Sequence, residues 1–418
     1  MDTKNSLRTR PLSRRWFLGT VPVAVAGVAA ACGTNSTSSS TSSASSSATA
    51  SAAATAVATG TATAGSVAAL AQAFYRTLDA DQQATVLQDH SLANAARWSN
   101  LPQGLIGGGG AGGGGGRTGM PSGTAPSGAP SGAPSGAAPG GSGGGGGGQS
   151  RLGVSLGDLS EDQLAAFTTM LRAATGSGTG TGYDEIEQHL NADDQLAADG
   201  GGDDYGRTNF YVALLGSPQD AGTWELQFGG HHLAVANTYT DGKLAGATPS
   251  FRGIEPNDPF DLNGRTNQPM KVKEAAFTAL LAGMSTAQLA TAKLSDTFTD
   301  LVLTPGKDWA FPTAKDGVRG SELSAAQQKL VLAAIASYVD DVADADAKTI
   351  LARYAGELDD TYVAYAGTTA LTEQNDYVRI DGPSVWIEFS MQHGIVLAGN
   401  HPHSVWRDRT TDYGGTTS

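Results

Sequence analysis

The sequence predicts an α+β fold, an antiparallel sheet with helices packed on it, and three observations carry that expectation. Helical and strand-like patterns fall in separate blocks instead of alternating, which describes segregated layers and not a doubly wound parallel sheet. Aspartate or serine followed three residues later by glutamine opens helical stretches at Asp79, Ser160 and Ser324. Apolar runs are punctuated by tight-turn residues, most clearly in Thr240-Asp241-Gly242-Lys243, where Asp-Gly suits a two-residue hairpin.

The first 64 residues stand outside that fold. Residues 1–31 carry Lys4, Arg8, Arg10, Arg14 and Arg15 against Asp2, so the rest of the chain must hold −18 to give the total of −14. Ser13-Arg14-Arg15-Trp16-Phe17-Leu18 looks like a twin-arginine export signal, and the apolar run from Val21 to Ala31 is far below the ~20 residues of a membrane span. Cys32 is the only cysteine, which excludes an intramolecular disulfide and a cysteine-based zinc site. It follows Ala29-Ala30-Ala31 as a lipobox cysteine would, although Ala29 stands where leucine is usual. A lipid on Cys32 would tether the chain to the outer face of a membrane; simple cleavage and secretion is the alternative, and either places the protein outside the cytoplasm. Residues 32–64, almost wholly Ser, Thr and Ala, read as a disordered linker. The acidic remainder lacks the clustered Lys and Arg that nucleic-acid binding requires, so no nucleic-acid partner is expected.

A single α+β domain is expected over 65–414, interrupted by 107–148. Val67, Leu70, Phe74 and Leu78 recur at helical spacing, and Asp79 with Gln82 opens a second helix through Leu87. Residues 107–148 hold 22 glycines and five prolines and repeat Ala-Pro-Ser-Gly three times, so they read as a disordered insertion; no strand precedes them and no Lys-Ser/Thr ends them, as a phosphate loop would need. Ser160 and Gln163 then open a helix with Leu164, Phe167, Met170 and Leu171 on one face. Strands are expected over Asn209 to Leu215, Trp224 to Ala236 and Leu244 to Thr248. Helices are expected over Lys273 to Ala282, Ala287 to Leu294 and Ser324 to Tyr338, and strands return at Thr361 to Ala366 and Tyr377 to Phe389.

Four of the seven histidines fall in two short motifs, Gly230-His231-His232-Leu233 and Asn400-His401-Pro402-His403. With the first pair on a strand, alternation lets only one of His231 and His232 face a given site. His401 and His403 are two apart, so an extended backbone puts both imidazoles on one face, a spacing that can chelate a metal; a polyproline-like course at Pro402 would splay them. Joined by one histidine of the first motif and Glu388, they would form a mixed imidazole and carboxylate set suited to zinc, iron or manganese. Twin-arginine export carries folded proteins and fits a metal loaded before export.

In order along the chain, Gly230-His231-His232-Leu233, Thr248-Pro249-Ser250-Phe251 with Gly253, Leu323-Ser324 with Gln327, Arg379-Ile380-Asp381-Gly382-Pro383 leading to Ile387-Glu388, Asn400-His401 through Trp406-Arg407-Asp408, and Asp412-Tyr413-Gly414 resemble the bacterial family called domain of unknown function 3500. The resemblance covers about 66–414 without the insertion and implies a shared fold and a shared site. The chain departs from it at Ala236, where an asparagine is usual and here comes one residue later as Asn237, and at Pro402.

The functional expectation is a metal-dependent enzyme, an oxidoreductase or a hydrolase, with His231, His232, His401 and His403 as candidate ligands and Glu388, Arg407 and Asp408 as candidate catalytic groups. The alternative is a non-catalytic lipoprotein that binds an acidic small molecule through Arg252, Arg379, Arg407 and the imidazoles. A serine hydrolase would have to use an unmarked Ser250 or Ser404, since no Gly-x-Ser-x-Gly elbow occurs. The bland alternative gives the histidines backbone hydrogen bonds and makes Arg407 and Asp408 an ion pair. His90 and His189 read as structural, His393 as a weaker candidate, and Trp224, Trp386 and Trp406 as core or pocket wall.

Overall fold

The computed structural model describes residues 60–102, 106 and 151–415. The expected signal, Cys32, most of the 32–64 linker and the 107–148 insertion lie outside the described residues.

In the first half of the fold, helices α1 (Val67–Thr77) and α2 (Ala80–Val86) lead to the short strand β1 (Leu87–Gln88) and helix α3 (Leu92–Ala95). After the insertion come β2 (Val154–Ser155), α4 (Glu161–Ala174) and α5 (Gly182–Leu196), then the strands β3 (Tyr211–Leu215), β4 (Thr223–Gly230), β5 (Leu233–Thr240), β6 (Lys243–Gly246) and β7 (Ser250–Gly253). A separate hairpin, β8 (Phe260–Leu262) and β9 (Arg265–Asn267), connects to the second half. There α6 (Lys271–Ala282) and α7 (Thr286–Ala292) precede β10 (Val318–Arg319), α8 (Ala325–Val339) and α9 (Asp344–Gly356). The chain ends with β11 (Tyr362–Ala366), β12 (Tyr377–Asp381), β13 (Val385–His393) and β14 (Asn400–Asp408). One twelve-stranded sheet runs β1-β3-β4-β5-β7-β14-β13-β12-β11-β10, with β2 on β3 and β6 on β5. Every pair in it is antiparallel except β1 with β3, so the fold is α+β with a mostly antiparallel sheet.

The two halves repeat one plan. Each has a helix, a capping box and a second helix, then a two-residue strand, another capping box and two more helices, and finally an antiparallel meander. The capping glutamines also meet each other in the same way. Gln82 and Gln163 exchange amide hydrogen bonds, and Gln82 donates to the Asp158 carbonyl; Gln288 and Gln327 exchange theirs, and Gln288 donates to the Glu322 carbonyl. Val154 pairs with Val212 as Val318 pairs with Val363. The halves join where β7 runs antiparallel to β14, with Ser250 opposite Trp406, so an approximate two-fold axis crosses the sheet at that seam.

Alternation along the strands sorts the core into layers. Val212, Leu214, Leu226 and Phe228 pack under α1, α4 and α5, and Val378, Ile380, Ile387 and Phe389 pack under α6, α8 and α9. The opposite face, with Ala213, Ala234, Phe251, Trp386 and Val405, is covered by the segment around Trp98 and by the long connection carrying Leu301, Leu303, Trp309 and Phe311. At the seam on the helix side lies a buried ionic quartet, Glu185 and Arg252 from the first half and Lys273 and Asp341 from the second. Lys273 Nζ lies 2.6 Å from Glu185 and 3.1 Å from Asp341, and Arg252 Nη2 lies 3.3 Å from Asp341. All four are at most 5% exposed, which is tolerable only because each charge faces an opposite one.

Two strand expectations are corrected. Trp224 to Ala236 is not one strand: β4 and β5 pair with Gly230 opposite Leu233, and His231-His232 form the two-residue turn between them. Tyr377 to Phe389 is likewise two strands, turned at Gly382-Pro383-Ser384. Both turns are only two or three residues long and join strands that are apolar beyond them, Leu226 and Phe228 with Leu233 and Val235, and Val378 and Ile380 with Val385 and Ile387, so each pair read as one run.

Candidate metal centre

The β4–β5 turn presents one imidazole where β14 presents two. His232 has a φ of 61°, a left-handed conformation that a tight turn demands and that reverses the chain within two residues. On β14, His401 and His403 are two apart and fall on the face away from the helices, in line with Val405. Pro402 does not splay them. Its carbonyl accepts from Ile254 N–H just past the end of β7, so its missing N–H falls on the edge where the strand ladder has stopped.

The three side chains converge. His403 Nε2 lies 3.1 Å from His232 Nε2 and 3.2 Å from His401 Nε2, and the three offer ligand atoms within 4.8 Å of one another, so the cluster could hold a metal ion. Nitrogens bound tetrahedrally to zinc at 2.0–2.1 Å sit about 3.3 Å apart, close to the two observed spacings. Burial, then the neighbouring imidazoles beginning with His231, holds His232 well below the ordinary histidine range. Burial, followed by His403, pushes His401 down to about 3. Both are therefore neutral near pH 7, the state in which an imidazole nitrogen can bind a cation.

Outer contacts fix the rings. His403 Nδ1 lies 3.2 Å from Asp300 Oδ1, a carboxylate behind the imidazole that sets its tautomer and orientation. His231 stacks on His232 with ring centres 3.7 Å apart, and its Nδ1 lies 2.6 Å from Asp193 of α5. His231 is thus a buttress against the group of three and not one of its members. Gly253 completes the packing: a Cβ there would lie 3.0 Å from His232 Cδ2 and 3.1 Å from His403 Cδ2. Asp193 and Asp300 escaped the sequence reading because their nearest motif partners are 38 and 103 residues away; the only local signal was a pair of acids, Asp193-Asp194, inside an otherwise unremarked helix.

The other candidates are engaged elsewhere. Glu388 is fully buried and accepts from Val302 N–H, Leu303 N–H, Tyr377 Oη and Trp386 Nε1, so its oxygens are saturated and the expected mixed set loses its carboxylate. It instead pins the connection that carries Asp300. Arg407 and Asp408 point to opposite faces and do not pair: Arg407 holds Asp308 and Asp412, whereas Asp408 meets Arg353 and Tyr354. Arg379 is held by Asp316 and Arg252 by the ionic quartet, so the three arginines do not gather around the imidazoles. Ser404 bonds Tyr338 and the Glu388 carbonyl, and Ser250 bonds Arg252; neither hydroxyl meets a histidine. His189 is buried on α5 with Nδ1 against the Glu185 carbonyl, and His393 is exposed. Trp224, Trp386 and Trp406 are all buried in the core.

His401 also lines a cavity of about 430 Å³ at the open end of β13 and β14. The neighbouring walls come from the segment after β7, from α6 and from the connections flanking β12 and β13.

A duplicated antiparallel α+β scaffold with three converging imidazoles beside a cavity defines a class of protein with a candidate metal site. The chain belongs to the family described as protein of unknown function DUF3500, whose family model matches residues 148–415. The match starts at the last residue of the insertion, so α1 to α3, where the resemblance was expected to begin, fall outside it. No curated protein and no solved structure matches the chain.

Proposed function

We propose that the protein is a metal-dependent enzyme whose ion is held by His232, His401 and His403, and that the ion is zinc. The convergence of three Nε2 atoms at 3.1 and 3.2 Å, with a carboxylate behind one ring, carries this reading. Three close nitrogen lone pairs repel one another unless a proton or a cation lies between them, and the low pKa values of His232 and His401 disfavour the proton. An all-imidazole set favours zinc over manganese or iron, which more often take carboxylate. Structural zinc sites close with four protein ligands, whereas three protein ligands leave a coordination position for water or substrate. Bound there, zinc lowers the pKa of water toward 7 and polarises a carbonyl, which makes hydrolysis the favoured reaction class over oxidation and reduction.

The full chain, purified without chelator, is expected to carry close to one equivalent of zinc by elemental analysis. His401→Ala and His403→Ala should each lose most of it while keeping a cooperative melt. A chain that is free of metal as purified, takes up none on incubation with zinc, and melts identically in all three forms would overturn the proposal.

A further inference from the structure

The cavity beside His401 is lined by acceptors and carboxylates without a compensating cation. Glu255 and Asp258 follow β7, Glu274 projects from α6, and no lysine or arginine is among the described lining residues. Glu255 is 5% exposed and spends one oxygen on the Leu397 N–H; the Oδ1 of Asn257 and the Nδ1 of His401 have no hydrogen-bond partner at all. His401 is itself 4% exposed. Such groups are costly to bury unless something meets them. Burial first, and the Asp258 charge less strongly, push the Glu274 carboxyl up against a hydrogen bond from Asn257 that lowers it, a condition that a bound cation relieves. Leu371, Met391 and Leu397 supply apolar wall between the polar groups.

We propose that this cavity, beside the candidate metal centre, binds a small molecule bearing a protonated amine. The ammonium group sits among Glu255, Asp258 and Glu274 and donates to Asn257 Oδ1, while the carbon skeleton lies on the apolar wall. If His401 binds the ion through Nε2, its neutral ring carries the proton on Nδ1, so a carbonyl or hydroxyl oxygen of the same molecule supplies the acceptor this nitrogen lacks. An acidic ligand is excluded by the same charges. The inference rests on the metal reading only for the tautomer of His401, and the preference for a cation belongs to the cavity alone.

Calorimetric titration of the full chain, as purified, with 1,4-diaminobutane, 1,4-butanediol and butanedioate separates charge from size. The diamine is expected to bind about tenfold more tightly than the diol, and the dianion not at all. Glu274→Gln should weaken the diamine about tenfold, with the diol, zinc content and melting temperature unchanged. Asp258→Asn, at an exposed position, gives a second variant whose folding is not in question and should shift the diamine in the same direction. Equal binding of diamine and diol, or diamine binding that neither variant changes, overturns the inference. Zinc-bearing protein with no preference for the diamine sinks this inference and leaves the metal centre standing. Zinc-free protein that prefers the diamine does the reverse.

Discussion

The turn between β4 and β5 is His231-His232, and the turn at the equivalent place between β12 and β13 is Pro383-Ser384. The backbone treats them alike: Gly253 N–H donates to the His232 carbonyl as Arg409 N–H donates to the Ser384 carbonyl. What differs is the side chains and one strand length. Ser384 bonds Glu357 and faces no imidazole. Counting back three residues from the paired Ser250 and Trp406 reaches Ala247 in the first half and His403 in the second. β7 stops at four residues, whereas β14 runs for nine and carries His401 and His403 back to the other half's turn. A scaffold built twice thus offers two similar corners, and only one of them is furnished. Backbone position is supplied by the repeat; the chemistry comes from a few side chains that break it.

The largest test of that contrast compares equivalent turn residues. His232→Ala should strip the zinc, Ser384→Ala should leave zinc content untouched, and His231→Ala should retain most of it because its ring only buttresses the set. Elemental analysis of the three variants would break the comparison if Ser384→Ala lost metal or His232→Ala kept it.

A smaller effect is expected at Gly253. Alanine there crowds two imidazoles, so overpacking should cost about 1–3 kcal/mol and lower both melting temperature and zinc affinity in a chelator competition. In the second half the equivalent position is Arg409, which already carries a side chain, as a corner without imidazoles permits. Unchanged zinc affinity in Gly253→Ala would mean that the rings do not need that space.

A pH-dependent effect concerns another broken equivalence, since Glu225 on β4 and Tyr377 on β12 pair with Leu215 and Ala366 at matching positions. Burial pushes the Glu225 carboxyl up to about 7 from an ordinary 4.5, against hydrogen bonds from Thr238 and Gln227. The folded chain therefore holds more protons than the unfolded one between those values. This contribution to stability is fully present below pH 4.5 and is lost as pH rises through 7. Glu225→Gln should flatten that part of the melting profile, and an unaltered slope would show that another group sets it.

The sequence made the helix starts legible where capping is local: Asp79, Ser160 and Ser324 all cap as expected. It showed the Asp241-Gly242 hairpin too, because both residues take the positive φ that such a turn requires. α5 went unread because its buried residues include Glu185, Gln188, His189, Asn191 and Asp193, a polar interior that no apolar periodicity reveals. The histidine motifs were visible as a site, but their geometry was not. Alternation on a strand was the wrong argument for His231 and His232, since a turn placed one ring in the group and stacked the other behind it. The repeat itself was missed because it lies in shared contacts between capping glutamines and in register, not in similar side chains along the chain.

The ionic quartet at the seam bears on how the molecule can come apart. Each half contributes one cation and one anion, yet the shortest contact, Lys273 with Glu185, crosses between them. Neither half could be excised as a free-standing piece without surrendering partners that water would have to replace, and the sheet would also be left with a raw edge at β7 or β14. A structure that looks divisible by its symmetry is therefore bound to unfold as one body. The three converging imidazoles, drawn from a turn on one side of the seam and a strand on the other, exist as a set only for as long as that union holds.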